Sequence, residues 1–187
     1  MVRVSNGQVL PPDGLTVATY LPIYVKGHFN APDLTPGATN TTLTRPASLV
    51  GDAITILSSN WTDSLTTNAL NSRAAANMTV NAAFLAGIVQ TTNSAGTKYY
   101  SGGLENFPRF LENWSGFTLT YNGSMVVMFP SRYANKFWQP TGNYYNPPSR
   151  QWAFDRNFLT QALLPPVTPQ VRKLLRTHWS VIAANAP

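Results

Sequence analysis

The sequence predicts a mainly β fold: a short right-handed β-solenoid (β-helix) with one helical excursion and a C-terminal helical cap. Three observations lead there. Fifteen prolines and twelve glycines are spread along 187 residues, which excludes long helices and makes turns frequent. The strongest apolar segments are short and rich in Val, Ile, Tyr and Thr, the residues that suit a strand. Four of these segments also share one plan: a short alternating piece, a polar or glycine break, then a second apolar piece.

In chain order they are Thr16 to Lys26 (TVATYLPIYVK), Leu49 to Leu57 (LVGDAITIL), Thr79 to Ala86 (TVNAAFLA) and Leu119 to Phe129 (LTYNGSMVVMF). The second pieces, PIYV, AITI, AAFL and SMVV, begin at Pro22, Ala53, Ala82 and Ser124, at steps of 31, 29 and 42 residues. Strand, corner, strand and a return loop of variable length make one coil of a solenoid, stacked on the coil before it. Inward alternation then buries Ile23 and Val25, Ile54 and Ile56, Phe84, and Val126 and Met128, or the opposite phase in one or two of the units. A β-sandwich of four similar strands is the alternative, because strand pairs joined by a corner occur there too.

Two helices are expected. Over 104–116 (LENFPRFLENWSG), Asn106 can cap, Pro108 suits a first turn, Phe107, Phe110, Leu111 and Trp114 share a face, and Gly116 closes it. Over 165–183, Thr168 caps and Pro169 begins a helix carrying Val171, Leu174, Leu175 and His178. Its other face bears Arg172, Lys173 and Arg176, cations placed as the helix dipole favours. That helix would cover the last rung's unpaired backbone. The whole chain, 1–187, reads as a single β-rich domain with these two helical parts.

Composition restricts the chemistry. With no cysteine, disulfides, thiolate catalysis and Cys-ligated metal centres are excluded. Charged residues are 11% of the chain, against about 25% in ordinary soluble domains, and Asn, Thr and Ser fill the polar positions. Apolar residues at 43% provide enough surface to bury for a folded core. The neutral, Asn- and Thr-rich polarity leans towards an extracellular, cell-surface or periplasmic protein. No apolar run reaches the roughly 18 residues of a membrane helix. Membrane attachment, if any, is expected through a segment upstream of Met1.

Several phrases occur together in order: GLTVATYLPIYVKGHFN (14–30), ASLVGDAITILSSNW (47–61), MTVNAAFLAGIV (78–89), SGGLENFPRFLENWSGFTLTYNGSMVVMF (101–129), YNPPSRQWAFDRNF (145–158) and PPVTPQVRKLLRTHW (165–179). Over nearly the whole chain they resemble the C-terminal region of accessory proteins of bacterial type IV pilus assembly, the PilX-like group. The resemblance implies a β-rich terminal domain of a pilus-associated protein with no assigned catalysis, and it carries over no catalytic residue. The prepilin-type helix of that group is not part of this sequence.

Tests for chemistry give little. The acids are Asp13, Asp33, Asp52, Asp63, Glu105, Glu112 and Asp155. Glu105 and Glu112 would share a helix face about 10 Å apart, which reads as solvated helix charge more readily than as a glycosidase pair. Asp52, at the break in the second unit, suits a corner residue that binds backbone amides. His28 and His178 lie far apart in sequence and lack the partners a metal would want. No cofactor and no catalytic residue is assigned. SAGTK (94–98) lacks the second glycine and the helix of a phosphate loop, so Gly96 and Lys98 read as a hairpin or loop tip. The five Asn-X-Ser/Thr sites matter only in a glycosylating host. The surplus of six positive charges is scattered, which predicts weak contact with polyanions or glycans and no specific nucleic-acid binding.

The segment from Pro130 to Trp152 is the most suggestive surface. Aromatic rings and arginines on a proline-stiffened loop are what binding hot spots use. The expected partner-binding residues are Arg132, Tyr133, Trp138, Tyr144, Tyr145 and Arg150, with residues 99–103 as a second contact loop. A lid of rings packed onto one side of the coil is the other reading. The expected role is a non-enzymatic structural or binding domain that contacts neighbouring subunits, including pilus components, or surface ligands. The rival roles are a carbohydrate-active β-helix enzyme, which would need two or more of Asp52, Asp155, Glu105 and Arg150 in one groove, and a filament-forming extracellular protein.

Overall fold

The computed structural model describes residues 1–33, 40–89, 92–94, 97–99, 107–135, 144–171, 174, 175 and 178; the short strands at 92–94 and 97–99 are described by backbone alone. Two sheets dominate, and every pairing in them is parallel. The four-stranded sheet has the order β1 (Val2–Ser5), β3 (Ile23–Lys26), β5 (Ile54–Leu57), β9 (Pro108–Phe110). The five-stranded sheet has the order β11 (Ser149–Phe154), β10 (Thr118–Pro130), β6 (Met78–Ile88), β4 (Ala47–Gly51), β2 (Leu15–Ala18). A separate antiparallel hairpin, β7 (Thr92–Ser94) with β8 (Thr97–Tyr99), matches the hairpin read at Gly96 and Lys98.

Parallel neighbours need a crossover, which a helix supplies in α/β proteins. Here the crossover is a strand of the other sheet: β2, β4 and β6 of the larger sheet alternate along the chain with β1, β3 and β5 of the smaller. The result is a mainly β, α/β-like parallel-sheet arrangement whose described residues hold only 3-10 turns as helical structure.

The expected β-solenoid with helical parts is therefore corrected. The first two sequence units do split into β2 and β3, and β4 and β5. The last two do not: β6 runs 11 residues and β10 13 residues, each within one sheet. AAFL pairs with β4, Ala83 opposite Ser48 and Phe84 opposite Leu49, so it aligns with the first piece of the second unit and not with AITI. The step of 29 residues thus joins non-equivalent strands, β5 and β6 of different sheets, whereas the steps of 31 and 42 link paired neighbours, β3 with β5 and β6 with β10; the polar break at Asn81 or Gly123 is no corner. The sandwich alternative fails too, because no antiparallel pair occurs within either main sheet.

Both expected helices are corrected as well. In 104–116, residues 104–106 lie outside the described part, and Pro108–Phe110 form β9 beside β5. Pro108, which lacks an N–H, opens the strand, a position proline tolerates. Phe107, Phe110 and Trp114 are all buried, so this segment serves the core as extended chain. In 165–183, the described residues form no helix: Thr168 N–H closes a turn on the Pro165 carbonyl, and Val167 sits at φ 64°. Val171 and Leu174 are almost fully exposed, so they cap nothing.

One core lies between the sheets. Ile23, Val25, Ile54, Ile56 and Phe110 come from the smaller sheet, and Leu49, Val80, Ala82, Phe84, Leu119 and Tyr121 from the larger. Each large apolar side chain buried contributes roughly 1.5–3 kcal/mol. Register stacks like on like: Val25, Ile56 and Phe110 form one row, Leu49, Phe84 and Met125 another. The Tyr121 hydroxyl donates to the carbonyls of Ala82 (2.7 Å) and Ser124 (2.8 Å). Gly123 lies across this point, where any Cβ would collide with the Ala82 carbonyl and the tyrosine oxygen.

The outer face of the larger sheet is covered over part of its height. After β11 the chain turns at Asp155, whose side chain accepts from Thr41 Oγ1 (2.8 Å) and from Asn157 N (3.0 Å). It then returns across the sheet to β2, where Thr16 Oγ1 donates to the Pro166 carbonyl (2.6 Å). Together with the 40–46 loop, this strap explains why outward-facing polar residues such as Ser48, Thr79, Asn81, Thr120 and Asn122 are buried. Inside, the asparagines form a ladder: Asn122 Nδ2 donates to Asn81 Oδ1 (2.7 Å), Asn81 Nδ2 to the Asn30 carbonyl (2.8 Å), and Asn30 Nδ2 to the Asn81 carbonyl (2.9 Å).

Candidate interaction surface

Beyond the strap, the outer face is apolar and open. Register places Ala18, Val50, Leu85 and Val126 in one row across β2, β4, β6 and β10. The row continues into an exposed strand end: Val126 is 40% exposed, Val127 37%, Met128 60% and Phe129 41%. This corrects the expectation that Val126 and Met128 point into the core. β11 pairs with β10 only from Thr118 to Gly123, so among the described residues no strand flanks the second half of β10 on that side. The register also shifts between Val127 and Phe129, a bulge that turns Met128 outward.

The loop after β10 is pinned. Asp52, at the corner between β4 and β5, accepts from Ser131 Oγ (2.6 Å), Arg132 N (2.7 Å) and Tyr133 N (3.0 Å). Burial would raise its pKa, but these hydrogen bonds outweigh burial and hold the carboxyl below its ordinary value. Asp52 therefore does bind backbone amides, those of a distant loop. Arg109 on β9 donates to the Ala134 carbonyl and grips the same loop from the other sheet. Held at both points, Arg132 and Tyr133 present exposed side chains just past the apolar strand end.

The other expected contact residues do not join them. Trp138 lies outside the described residues, as do 100–103 of the second expected loop. Arg150 pairs with Leu119, eleven residues before Pro130 on β10, which is about 35 Å along a strand. It is exposed, with its guanidinium carbon 5.3 Å from the centroid of the Trp152 ring, and Trp152 packs edge-on against Tyr121. Tyr145 stacks obliquely on Phe110 (5.4 Å), whereas Tyr144 is 40% exposed. The expected loop from Pro130 to Trp152 thus ends in a strand, β11, and its rings divide: Tyr145 and Trp152 pack down, Tyr133 and Tyr144 face out. No single site contains all the expected residues.

Glu112, Asp63 and Asp155 are committed to structure. Glu112, which lies on no helix, is fully buried and accepts from Ser58 N and Ser58 Oγ, both 2.6 Å. Burial pushes its carboxyl up, partly offset by those two bonds. Asp63 meets Arg3 in a bidentate pair at 2.7 and 3.1 Å. Asp52 and Asp155 serve different loops, and Glu105 lies outside the described residues. Among the described residues, no three of His, Cys, Asp and Glu gather as a metal site.

His28 yields a pH prediction. Its Nδ1 accepts the Thr79 N–H (3.1 Å), which requires a neutral ring, and burial pushes its pKa down. A histidine with a lowered folded pKa contributes stability that is complete above the unfolded value, about 6.5. That contribution declines as pH falls from there towards the folded pKa. The urea midpoint is expected to drop from pH 7.5 to pH 5, and His28→Gln, which offers an amide oxygen in place of Nδ1, is expected to reduce the drop. An unchanged slope in the variant refutes the assignment.

Comparison of the chain with protein-family models, with curated proteins and with solved structures finds no match in any of the three.

Proposed function

We propose that this domain is a non-enzymatic structural and binding module of a bacterial cell-surface system, of the type IV pilus-associated kind, that contacts neighbouring subunits. The observation that carries the reading is the exposed apolar end of β10, residues Val126 to Phe129, continuous with the pinned Arg132 and Tyr133. Surfaces of this kind, apolar at the centre with an aromatic and an arginine beside it, are where binding energy concentrates. The way the buried acids are used supports it: Asp52, Glu112 and Asp155 each hold backbone or hydroxyl groups of their own fold.

The test is co-sedimentation of the purified domain with sheared type IV pili and with isolated minor pilus subunits. Binding is expected, and the Val126→Glu/Met128→Glu variant is expected to lower it about tenfold or more, equivalent to about 1.4 kcal/mol. Equal binding by the folded variant, or release of reducing ends from a polysaccharide by the wild-type domain, overturns the reading.

A further inference from the structure

Among the described residues, the second half of β10 has an unused hydrogen-bonding edge. Ser149 N–H donates to the Phe117 carbonyl and Asp155 N–H to the Gly123 carbonyl, so the odd-numbered residues of β10 face β11. By the two-residue repeat of a strand, Met125 and Val127 turn their N–H and C=O groups to the same side. β11 has left by then, and among the described residues no backbone group bonds to them there. After the bulge, Ser131 N–H returns to the Ile88 carbonyl on the β6 side, and Pro130 has no N–H, so the open edge ends there. It is a notch about two backbone pairs long, in line with β11.

An unpaired strand edge is a template for another extended chain, and the side chains around the notch define which chain fits. Val126, Val127, Met128 and Phe129 are exposed and uncharged. Arg156, just after Asp155, and Arg132, just past Pro130, follow in sequence the residues that bound the notch, are exposed, and have no carboxylate partner among the described residues. The nearby acids, Asp52 and Asp155, are buried and already bonded. A second copy of this chain would bring the same two arginines and another net charge of +6 to the contact, which disfavours self-pairing.

We infer that the β10 notch takes up a strand from a partner protein, a short extended segment with apolar residues at its centre and acidic residues at its flanks. The inference rests on the binding role proposed above and specifies its partner. The added strand continues the sheet beyond β10, and its outward side chains extend the row Ala18, Val50, Leu85, Val126.

Fluorescent peptides of alternating valine and threonine, flanked by glutamates or by lysines, test it by anisotropy. The glutamate-flanked peptide is expected to bind about tenfold tighter in low salt, and Arg132→Glu is expected to reverse that order. N-methylation of the peptide amides in one alternating register is expected to abolish binding, and in the other to leave it intact. Equal binding of both flanks, or equal effects of both methylation registers, overturns the strand proposal. So does a dimer in sedimentation equilibrium that Val127→Lys dissolves, which assigns the notch to a second copy. If these fail while Val126→Glu/Met128→Glu still lowers pilus co-sedimentation, the binding role stands and only strand addition falls; if both fail, both fall.

Discussion

Replacing Asn81 by leucine is expected to cost about 3 kcal/mol of unfolding free energy, or about 9 °C in Tm, read by urea and thermal unfolding. Asn81 is 4% exposed and joins two neighbouring layers of the sheet. Its Nδ2 satisfies the carbonyl of Asn30, itself at φ 52°, and its Oδ1 takes the amide of Asn122. Leucine matches the volume but leaves a buried carbonyl and a buried amide without these partners. The cost of such orphans is larger than the net value of the bonds themselves. The double variant Asn81→Leu/Asn122→Leu is therefore expected to cost less than the sum of the singles, with a coupling of about 1 kcal/mol. Strict additivity refutes the ladder as a cooperative unit.

Asp52→Ala is expected to cost a similar amount, about 3 kcal/mol, with an additional local effect. The carboxylate organises three donors from residues 131–133, and hydrogen bonds to a charged acceptor are about twice as strong as neutral ones. Without it, the peptide bond after Arg132 becomes accessible, and tryptic cleavage there is expected to quicken about tenfold or more in the folded protein. The pH dependence has a definite sign. A carboxyl with a lowered folded pKa stabilises above its unfolded value and loses that contribution as pH falls through the folded pKa. The wild type is expected to lose more stability than Asp52→Ala between pH 5 and strongly acidic pH. An equal acid slope in both shows that the carboxylate is not the organiser.

Both substitutions act on the surface that carries the proposed role. Asp52 orients Arg132 and Tyr133 directly, whereas Asn81 acts at a distance, by holding the layers on which β10 rests. Asp52→Ala is thus expected to weaken partner binding even where the protein stays folded. Asn81→Leu is expected to weaken it only in proportion to unfolding.

Much of the strand content was legible. The segments IYV, ITI and TVNAAFLA read as strand because β-branched and aromatic residues cluster between turns, and each is a strand in the structure. The helix over 104–116 was misread because Phe107, Phe110 and Trp114 have helical spacing, while pairing with β5 imposed extended chain on Pro108–Phe110. Val126 and Met128 were misplaced because alternation fixes which residues share a face, and says nothing of whether a neighbour covers it. The signal was faint: an unbroken run, MVVMF, with no charge to mark it as surface. The Asn30, Asn81, Asn122 ladder left only an abundance of asparagine to notice.

Composition, local strand preference and the absence of cysteine are properties of the chain itself, and from these the β character and the exclusion of thiol chemistry follow without coordinates. Which strands are neighbours depends on pairings such as Val2 with Ile23 and Ile54 with Pro108, between residues far apart in sequence, to which local patterning is nearly blind. Pairing alone equated AAFL with ASLV and not with AITI, ended β11 seven residues short of β10, and so left one strand edge bare among the described residues. That bare edge, and with it the surface proposed to bind, exists only once the chain has folded.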